Sequence, residues 1–121
     1  MNVTKQTYDV TIKQNRDWFL KLIFMDDKGR FPIDLTGYEA KISFRNYEND
    51  ELIKDLTTTD GVIITPSKGM VLAHMTNEET NAIDFLNNKG KYQLVMYKDD
   101  INFEAVSGDV DFKEAIVEVN I

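Results

Sequence analysis

Alternation of side chains with a period of two residues constrains the fold of this chain more than any other feature. In residues 18–25, Trp18, Leu20, Leu22 and Phe24 alternate with Phe19, Lys21, Ile23 and Met25. In residues 38–45, Tyr38, Ala40, Ile42 and Phe44 alternate with Glu39, Lys41, Ser43 and Arg45. Successive side chains of a strand point to opposite faces of a sheet, so each segment predicts a strand with one buried face. We expect the inward set to include Trp18, Leu22, Phe24, Ile42, Phe44, Tyr92 and Leu94.

The rest of the chain continues as short strands separated by turn residues. Asp60-Gly61 and residues 66–69 are strong turn signals. Further strands are predicted at residues 8–13, 52–59, 62–65, 70–75, 92–98, 103–106, 110–112 and 116–121, with a bend or bulge at Ser107-Gly108. About seven to nine short strands with turns near every ten residues are typical of an all-β sandwich or barrel.

A single helix signature interrupts the strands. Thr76 followed by Glu79 forms a capping box, and residues 80–86 extend it by a turn or two before Gly90. Because this short helix lies between two strands, we predict that it crosses from one sheet to the other. The pattern favours one antiparallel β-sandwich domain over residues 1–121 rather than a βαβ fold, in which longer helices alternate with strands.

Composition limits the possible partners. The net charge is −7, with 14 basic and 21 acidic residues and a pI near 4.6. Binding to nucleic acid or to an anionic membrane surface depends on Lys and Arg, so this balance predicts neither partner. No apolar run approaches the ~20 residues of a membrane span, and residues 1–6 lack a secretory signal. The absence of Cys fits synthesis in a cytoplasm and excludes disulfides and thiolate metal sites.

No group of residues in the sequence predicts catalysis or a cofactor. His74 is the sole histidine, and neither a nucleophile nor an orienting carboxylate lies near it in sequence. The acidic pairs Asp26-Asp27, Asp99-Asp100 and Asp109 with Asp111 fall at predicted turns, where Asp is favoured for its own backbone hydrogen bonds. We interpret them as solvated turns, with a calcium site as the alternative. We therefore expect no enzyme, metal or cofactor.

Apolar side chains on the outward faces of the predicted strands are more informative. A free sandwich is expected to be polar outside, yet several outward positions are apolar or aromatic. Either loops cover them or neighbouring subunits do. On the second interpretation, the partner interface comprises Phe19, Ile23, Met25, Val95 and Tyr97. The predicted last strand, with Val119 and Ile121, would also lie at a sheet edge open to strand addition from another copy.

The chain opens with an aromatic-led strand, an acidic Gly turn and then residues 32–38 (Pro-Ile-Asp-Leu-Thr-Gly-Tyr). This opening resembles that of small immunoglobulin-like β-sandwich structural proteins of tailed bacteriophages. The N-terminal domain of the lactococcal phage baseplate upper protein has a similar opening. Gly69 before a strand, residues 76–80 and Gly90-Lys91-Tyr92 extend the resemblance from about Tyr8 to Val119. The acidic residues 109–114 depart from the pattern.

The resemblance implies an Ig-like fold and a structural or adaptor role in the virion, after synthesis in the bacterial cytoplasm. The implied partners are other phage structural proteins and copies of the protein itself, and no enzyme activity is implied. Head, neck, tail and baseplate all stay open as positions. The alternative function is a module that binds host-surface carbohydrate, with Tyr47, Tyr97 and Phe103 stacking on sugar. A hydrolase is a third, weaker class.

Overall fold

Nine strands and one short helix form the fold in the computed structural model, which describes residues 6–26, 28–83 and 89–113. Within these residues the elements follow in the order β1 (Gln6–Thr7), β2 (Val10–Lys13), β3 (Trp18–Ile23), β4 (Glu39–Asn46), β5 (Leu52–Thr58), β6 (Gly61–Thr65), β7 (Met70–Met75), α1 (Asn77–Asn81), β8 (Lys89–Lys98) and β9 (Ile101–Lys113). A 3₁₀ turn, Pro66–Lys68, joins β6 to β7.

The first sheet has the order β9-β8-β4-β5, with β1 and β2 on the far side of β9. Its four main strands are antiparallel, and β8 pairs with β9 from Lys89–Asp111 to Lys98–Ile101. In contrast, β1 and β2 run parallel to β9, and Val10 lies opposite Val110. The expectation of a purely antiparallel sandwich is therefore wrong for this edge. Parallel pairing requires a long connection between the two strands, and here most of the domain lies between β1 or β2 and β9.

The second sheet is antiparallel and has the order β3-β7-β6. It is joined to the first at one corner, where β5 and β6 share two parallel pairs around the turn at Asp60. The Trp18 ring of β3 meets the Phe44 ring of β4 edge-on at 5.5 Å between centroids, so the two sheets face each other. The division into β3-β7-β6 and β9-β8-β4-β5 is that of an immunoglobulin-type sandwich. The predicted all-β, Ig-like sandwich is confirmed.

The core lies between the inward faces of the two sheets. Five of the seven predicted core residues are buried, with Ile42 and Leu94 completely inaccessible. The other two, Leu22 and Phe24, pack against the core but are only half-buried. Both belong to β3 or follow it directly, and β3 lies at the end of the sheet order. These side chains have less cover because, among the described residues, no further strand flanks β3.

The helix crosses between the sheets as predicted, because β7 belongs to one sheet and β8 to the other. Its capping box is complete: the Glu79 N–H donates to Thr76 Oγ1, and the Thr76 N–H donates to Glu79 Oε1. Burial raises the pKa of Glu79, but the hydrogen bond from the Thr76 N–H and the ion pair with Lys54 outweigh it and hold the pKa below its ordinary value. The box fixes where the crossing begins.

The turn before β4 is built from Asp34 and Thr36. Asp34 Oδ1 accepts from the Thr36 N–H at 3.0 Å and from its hydroxyl at 2.6 Å. These bonds to Thr36, the side-chain bond foremost, lower the pKa of Asp34. Gly37 follows with φ at 84°, a conformation that side chains with a Cβ resist. Glycine, which has no Cβ, is therefore suited to this position.

The last described strand corrects three sequence expectations. Residues 103–106 and 110–112 are parts of one strand, β9, and Ser107-Gly108 continues it without a bend. The register shift lies instead between Leu94 and Val95, and it leaves Ala105 as the extra residue on β9. Asp109 and Asp111 are strand residues, not turn residues. The predicted strand 116–121 and the helical residues 84–86 lie outside the described residues.

Candidate interaction surface

Outward side chains of β3, β7 and β6 form a continuous surface, which we call the apolar face. Cross-strand pairing sets Phe19 beside His74, Ile23 beside Met70, and both Lys21 and Ile63 beside Leu72. Side chains directly opposite each other in an antiparallel pair lie on the same side of the sheet. The face therefore consists of Phe19, Lys21, Ile23, Ile63, Thr65, Met70, Leu72 and His74.

Large apolar side chains are well exposed on this face. Phe19, Ile23 and Ile63 expose 59%, 53% and 64% of their surface, respectively, while Met70 and Leu72 between them are partly exposed. Inward neighbours on the same strands, such as Leu20 and Val71, are buried. The exposure thus follows from strand geometry rather than from a loose core. A contiguous apolar patch of this kind on a small domain is typical of a contact site.

His74 is part of the apolar face. Its ring stacks on Phe19 with centroids 4.3 Å apart and planes parallel. Asp17 supplies the carboxylate that sequence alone did not reveal, with Oδ2 at 3.4 Å from His74 Nε2. The other oxygen of Asp17 accepts from the Asn77 N–H at 2.7 Å. Asp17 therefore ties the start of α1 to β3 and orients the histidine against the phenyl ring.

The edge of the apolar face is β3, whose outer side has no partner strand in the part of the chain that the structure describes. Within the described residues β3 pairs with β7 alone. Only beyond Ile23 does further pairing occur, where the Phe24 N–H donates to the Gly69 carbonyl and Phe24 accepts from the Ile33 N–H. An unpaired edge presents backbone donors and acceptors to any extended segment that approaches it.

Met25 borders the apolar face at the far end of β3. It forms an isolated antiparallel bridge with Pro32, and Asp26 Oδ1 accepts from the Arg30 N–H at 2.8 Å. Phe31 in the same turn is 63% exposed. The predicted interface residues Phe19, Ile23 and Met25 therefore lie along one strand and its extension.

Val95 and Tyr97, also predicted for the interface, lie elsewhere. Both are on β8, where Val95 faces Lys41 on β4 and Tyr97 faces Glu39. Their inward neighbours Leu94 and Met96 are completely buried, so they point to the outer side of the first sheet, opposite the apolar face. Both are partly exposed. The five residues thus do not share one surface, and the interface role of Val95 and Tyr97 stays a prediction.

The outer side of the first sheet, the polar face, carries exposed ion pairs beside the partly exposed Val95 and Tyr97. Its pairs are Lys41–Asp55 at 3.6 Å, Lys89–Asp111 at 3.4 Å and, reaching the turn after β4, Lys91–Asp50 at 3.1 Å. An open depression of about 510 Å³ lies on this side, with Arg45, Gln93, Glu104 and Asp109 among its lining residues. Exposed pairs of this type contribute little to stability and keep a surface hydrated.

The three aromatics of the carbohydrate alternative are not brought together. Tyr47 is exposed and its N–H bonds the Lys89 carbonyl at the start of β8, whereas Tyr97 lies eight residues further along that strand. At 3.3 Å per residue this separation is roughly 26 Å. Phe103 packs edge-on against Tyr38 at the rim of the core. They do not form a common stacking platform.

The described part of the chain contains no cluster of three or more His, Cys, Asp or Glu side chains placed to hold a metal ion. Nor does any helix in that part have the length and apolar character to cross a membrane. Asp26 forms its turn by accepting backbone hydrogen bonds, and Asp111 pairs with Lys89.

Sequence reasoning did not assign Met70 and Leu72 to the candidate interface. Each lies on a strand that is apolar at both odd and even positions. That signal was visible, but it does not reveal which strands are neighbours. The pairing of β7 between β3 and β6 converts scattered apolar residues into one surface.

The strand order defines an Ig-like β-sandwich domain, and one of its sheets has an exposed apolar outer face. The chain belongs to the LtfC-like, β-sandwich domain family, whose family model matches residues 4–112. No curated protein matches the chain.

Proposed function

We propose that the protein is a non-enzymatic structural or adaptor subunit of a tailed-bacteriophage particle. It is synthesised in the bacterial cytoplasm and incorporated into the virion through contacts with other phage structural proteins and with copies of itself. Membership of a family of the phage tail-fibre and baseplate type supports this role. Its position in the particle is left open by this proposal.

The observation that carries the proposal is the chemistry of the apolar face. The chain has 21 acidic residues, yet none of the eight residues that form this face is acidic. Phe19, Ile23 and Ile63 are each more than half exposed there. Burying apolar area contributes about 25 cal/mol per Å², so covering this face with another subunit supplies a driving force for assembly.

The distribution of charged side chains also supports a contact role for the apolar face. A protein interface is depleted of charged side chains at its centre and keeps them at its rim. Here Lys21 and His74 are the basic groups on the face, and His74 is packed flat against Phe19. The ion pairs of the polar face lie on the other sheet, away from the apolar face.

Two linked measurements test the proposal. Purified virions analysed by quantitative mass spectrometry should contain the protein at a fixed ratio to the other virion proteins. Phe19→Asp should fold normally but lose most of its incorporation, because it places a charge among the exposed apolar side chains of the apolar face. Gln93→Asp introduces the same charge on the polar face and serves as the matched control.

Absence of the protein from purified virions would overturn the proposal. Equal incorporation of Phe19→Asp, Gln93→Asp and wild type would show that the apolar face is not the contact surface. If Phe19→Asp unfolds the domain, Ile63→Asp on β6 tests the same face from another strand.

A further inference from the structure

We propose that residues 6–9, which we call the strap, open from the edge of β9 while the rest of the domain stays folded. The strap consists of β1 together with Tyr8 and Asp9, and it leads into β2 at Val10. Side chains of Tyr92 and Asp9 fasten it to the first sheet. The inference concerns the edge that β1 and β2 cover, and it does not depend on the proposed function.

Burial changes sharply at the point where the strap meets β2. All four strap residues are exposed, and even the aromatic side chain of Tyr8 leaves this residue 57% exposed. In β2, by contrast, Val10 is 9% exposed and Ile12 is completely buried in the core. Segments that bury few apolar groups open at a smaller cost in free energy than core strands do. β2 is therefore anchored in the core, whereas the strap depends on polar contacts.

Hydrogen bonds supplement the backbone pairing of β1 with β9. The Tyr8 N–H donates to the Ser107 carbonyl at 2.9 Å, and the Tyr8 carbonyl accepts from the Tyr92 hydroxyl. Asp9 Oδ1 accepts from the Asp109 N–H at 2.9 Å. Two of these contacts use a side chain, so each can be removed by a substitution. One hydrogen bond of this kind changes an opening equilibrium by roughly fivefold.

Gly108 allows Tyr92 to reach the strap. Tyr92 on β8 lies directly opposite Gly108 on β9, and side chains in such a pair lie on the same side of the sheet. Because Gly108 has no side chain, the Tyr92 hydroxyl extends past β9 to the Tyr8 carbonyl. A Cβ on Gly108 would collide with that carbonyl. Tyr92 is only 2% exposed, so its hydroxyl joins the exposed strap to the core.

Opening of the strap would change the surface of the first sheet. Thr7 lines the depression of about 510 Å³ on the polar face, together with Ser107 and Gly108. When the strap leaves, the depression loses this border, and the Ser107 carbonyl and the Asp109 N–H lose their partners. Unpaired groups at a strand edge are a template for pairing with another chain. The position of the strap therefore decides whether this part of the β9 edge is available.

Amide hydrogen exchange in the full-length chain tests whether the strap opens separately. NMR would follow the exchange at increasing, sub-denaturing urea. The Tyr8 N–H should exchange at a rate almost independent of urea, because opening of the strap exposes little surface. Protected amides of β4 and β8 should exchange faster as urea rises, since they require global unfolding. The same urea dependence for Tyr8 and for β4 and β8 would overturn the inference.

Substitutions test the fastening contacts. Tyr92→Phe removes the donor hydroxyl and Asp9→Ala removes the acceptor carboxylate. Each should speed exchange of the Tyr8 N–H about fivefold after correction for intrinsic rates, without introducing a urea dependence. Asp9→Asn keeps an acceptor oxygen and should restore slow exchange. Tyr97→Phe removes a hydroxyl from the same strand as Tyr92 but on the outer side of the sheet, so this matched control should leave the rate unchanged.

The remaining outcomes also decide the question. Unchanged exchange in both Tyr92→Phe and Asp9→Ala would show that other contacts hold the strap, and the inference would be wrong. Equal acceleration in Tyr97→Phe and Tyr92→Phe would contradict it as well. If circular dichroism shows that Tyr92→Phe does not fold, Asp9→Ala and Asp9→Asn test the fastening from the exposed side. None of these measurements involves virions, so a negative result leaves the proposed function untouched.

Discussion

The two sheets of this sandwich share one core but differ in their outer faces and their edges. The β9-β8-β4-β5 sheet is covered with ion pairs outside, and β1 and β2 close the side of β9. The β3-β7-β6 sheet exposes Phe19, Ile23 and Ile63, and the described residues leave the side of β3 open. The described chain therefore closes the edge of one sheet with its own strands and leaves the edge of the other uncovered, and only the second sheet combines that edge with an apolar outer face.

The largest expected effect concerns the shared core. Phe44 is 1% exposed and contacts both Trp18 and Tyr92. Phe44→Ala should lower the free energy of unfolding by about 3–5 kcal/mol, since it removes a large buried ring and leaves a cavity. Denaturant melting measures this loss. A loss below about 1 kcal/mol would show that the sheets do not depend on a common core.

Near the edge that β1 and β2 close, the free energy of unfolding should fall by on the order of 2 kcal/mol at high pH. Burial, followed by the charge of Asp9 and by Tyr8, raises the pKa of Tyr92 to about 12 from an ordinary 10. The unfolded chain loses this proton near pH 10 and the folded chain keeps it, so stability is retained below pH 10 and falls as the pH rises to 12. Melting curves across this range measure the loss.

Tyr92→Phe is the control for the titration, because it cannot lose a phenolic proton. Its hydroxyl donates to the Tyr8 carbonyl, so the variant should lose about 1 kcal/mol at neutral pH. It should then show a smaller decline than wild type between pH 10 and 12. Equal declines would assign the alkaline loss to other groups.

A smaller change in the free energy of unfolding is expected at Gly108, which packs against Tyr8 between β1 and β2. A Cβ on Gly108 would collide with the Tyr8 carbonyl, whereas one on Gly29 would meet nothing within 4 Å. Gly108→Ala should therefore cost about 1–3 kcal/mol through displaced backbone. Gly29→Ala should cost about 1 kcal/mol through its positive φ alone. Melting of both variants compares the cost of a backbone clash on β9 with the cost of a positive φ alone in the turn after β3.

The smallest effect is expected on the polar face. Lys91→Ala removes the exposed pair with Asp50 and should change the free energy of unfolding by less than about 0.5 kcal/mol. It should also leave incorporation into virions unchanged. Loss of incorporation in Lys91→Ala would mean that the polar face makes contacts too, and the contrast between the sheets would no longer assign function to one of them.

Features set by a few neighbouring residues could be predicted from the sequence. The capping box at Thr76 depends on local chemistry, and its prediction was correct. The alternation in β4 correctly gave its buried side, with Ala40, Ile42 and Phe44 at most 1% exposed. Such signals are contained in the segment that they describe.

Features that depend on which strands meet could not be predicted. Gln6–Thr7 has no alternation, because both residues are exposed and pair with β9 through the backbone. Ser107-Gly108 resembled a break, but Gly108 continues the strand and gives room for the Tyr8 carbonyl. Val95 and Phe19 both point outward from their strands. Only the assignment of those strands to different sheets places them on opposite sides of the domain.

The parallel pairing of β1 and β2 with β9 has a mechanical consequence. If Gln6 and Lys113 are pulled apart, the β1–β2 segment and β9 are drawn past each other along their length. The backbone hydrogen bonds from Val10–Val110 to Lys13–Lys113 then carry the load together rather than breaking one after another. A domain with this geometry yields to tension only when the whole set of hydrogen bonds shears at once.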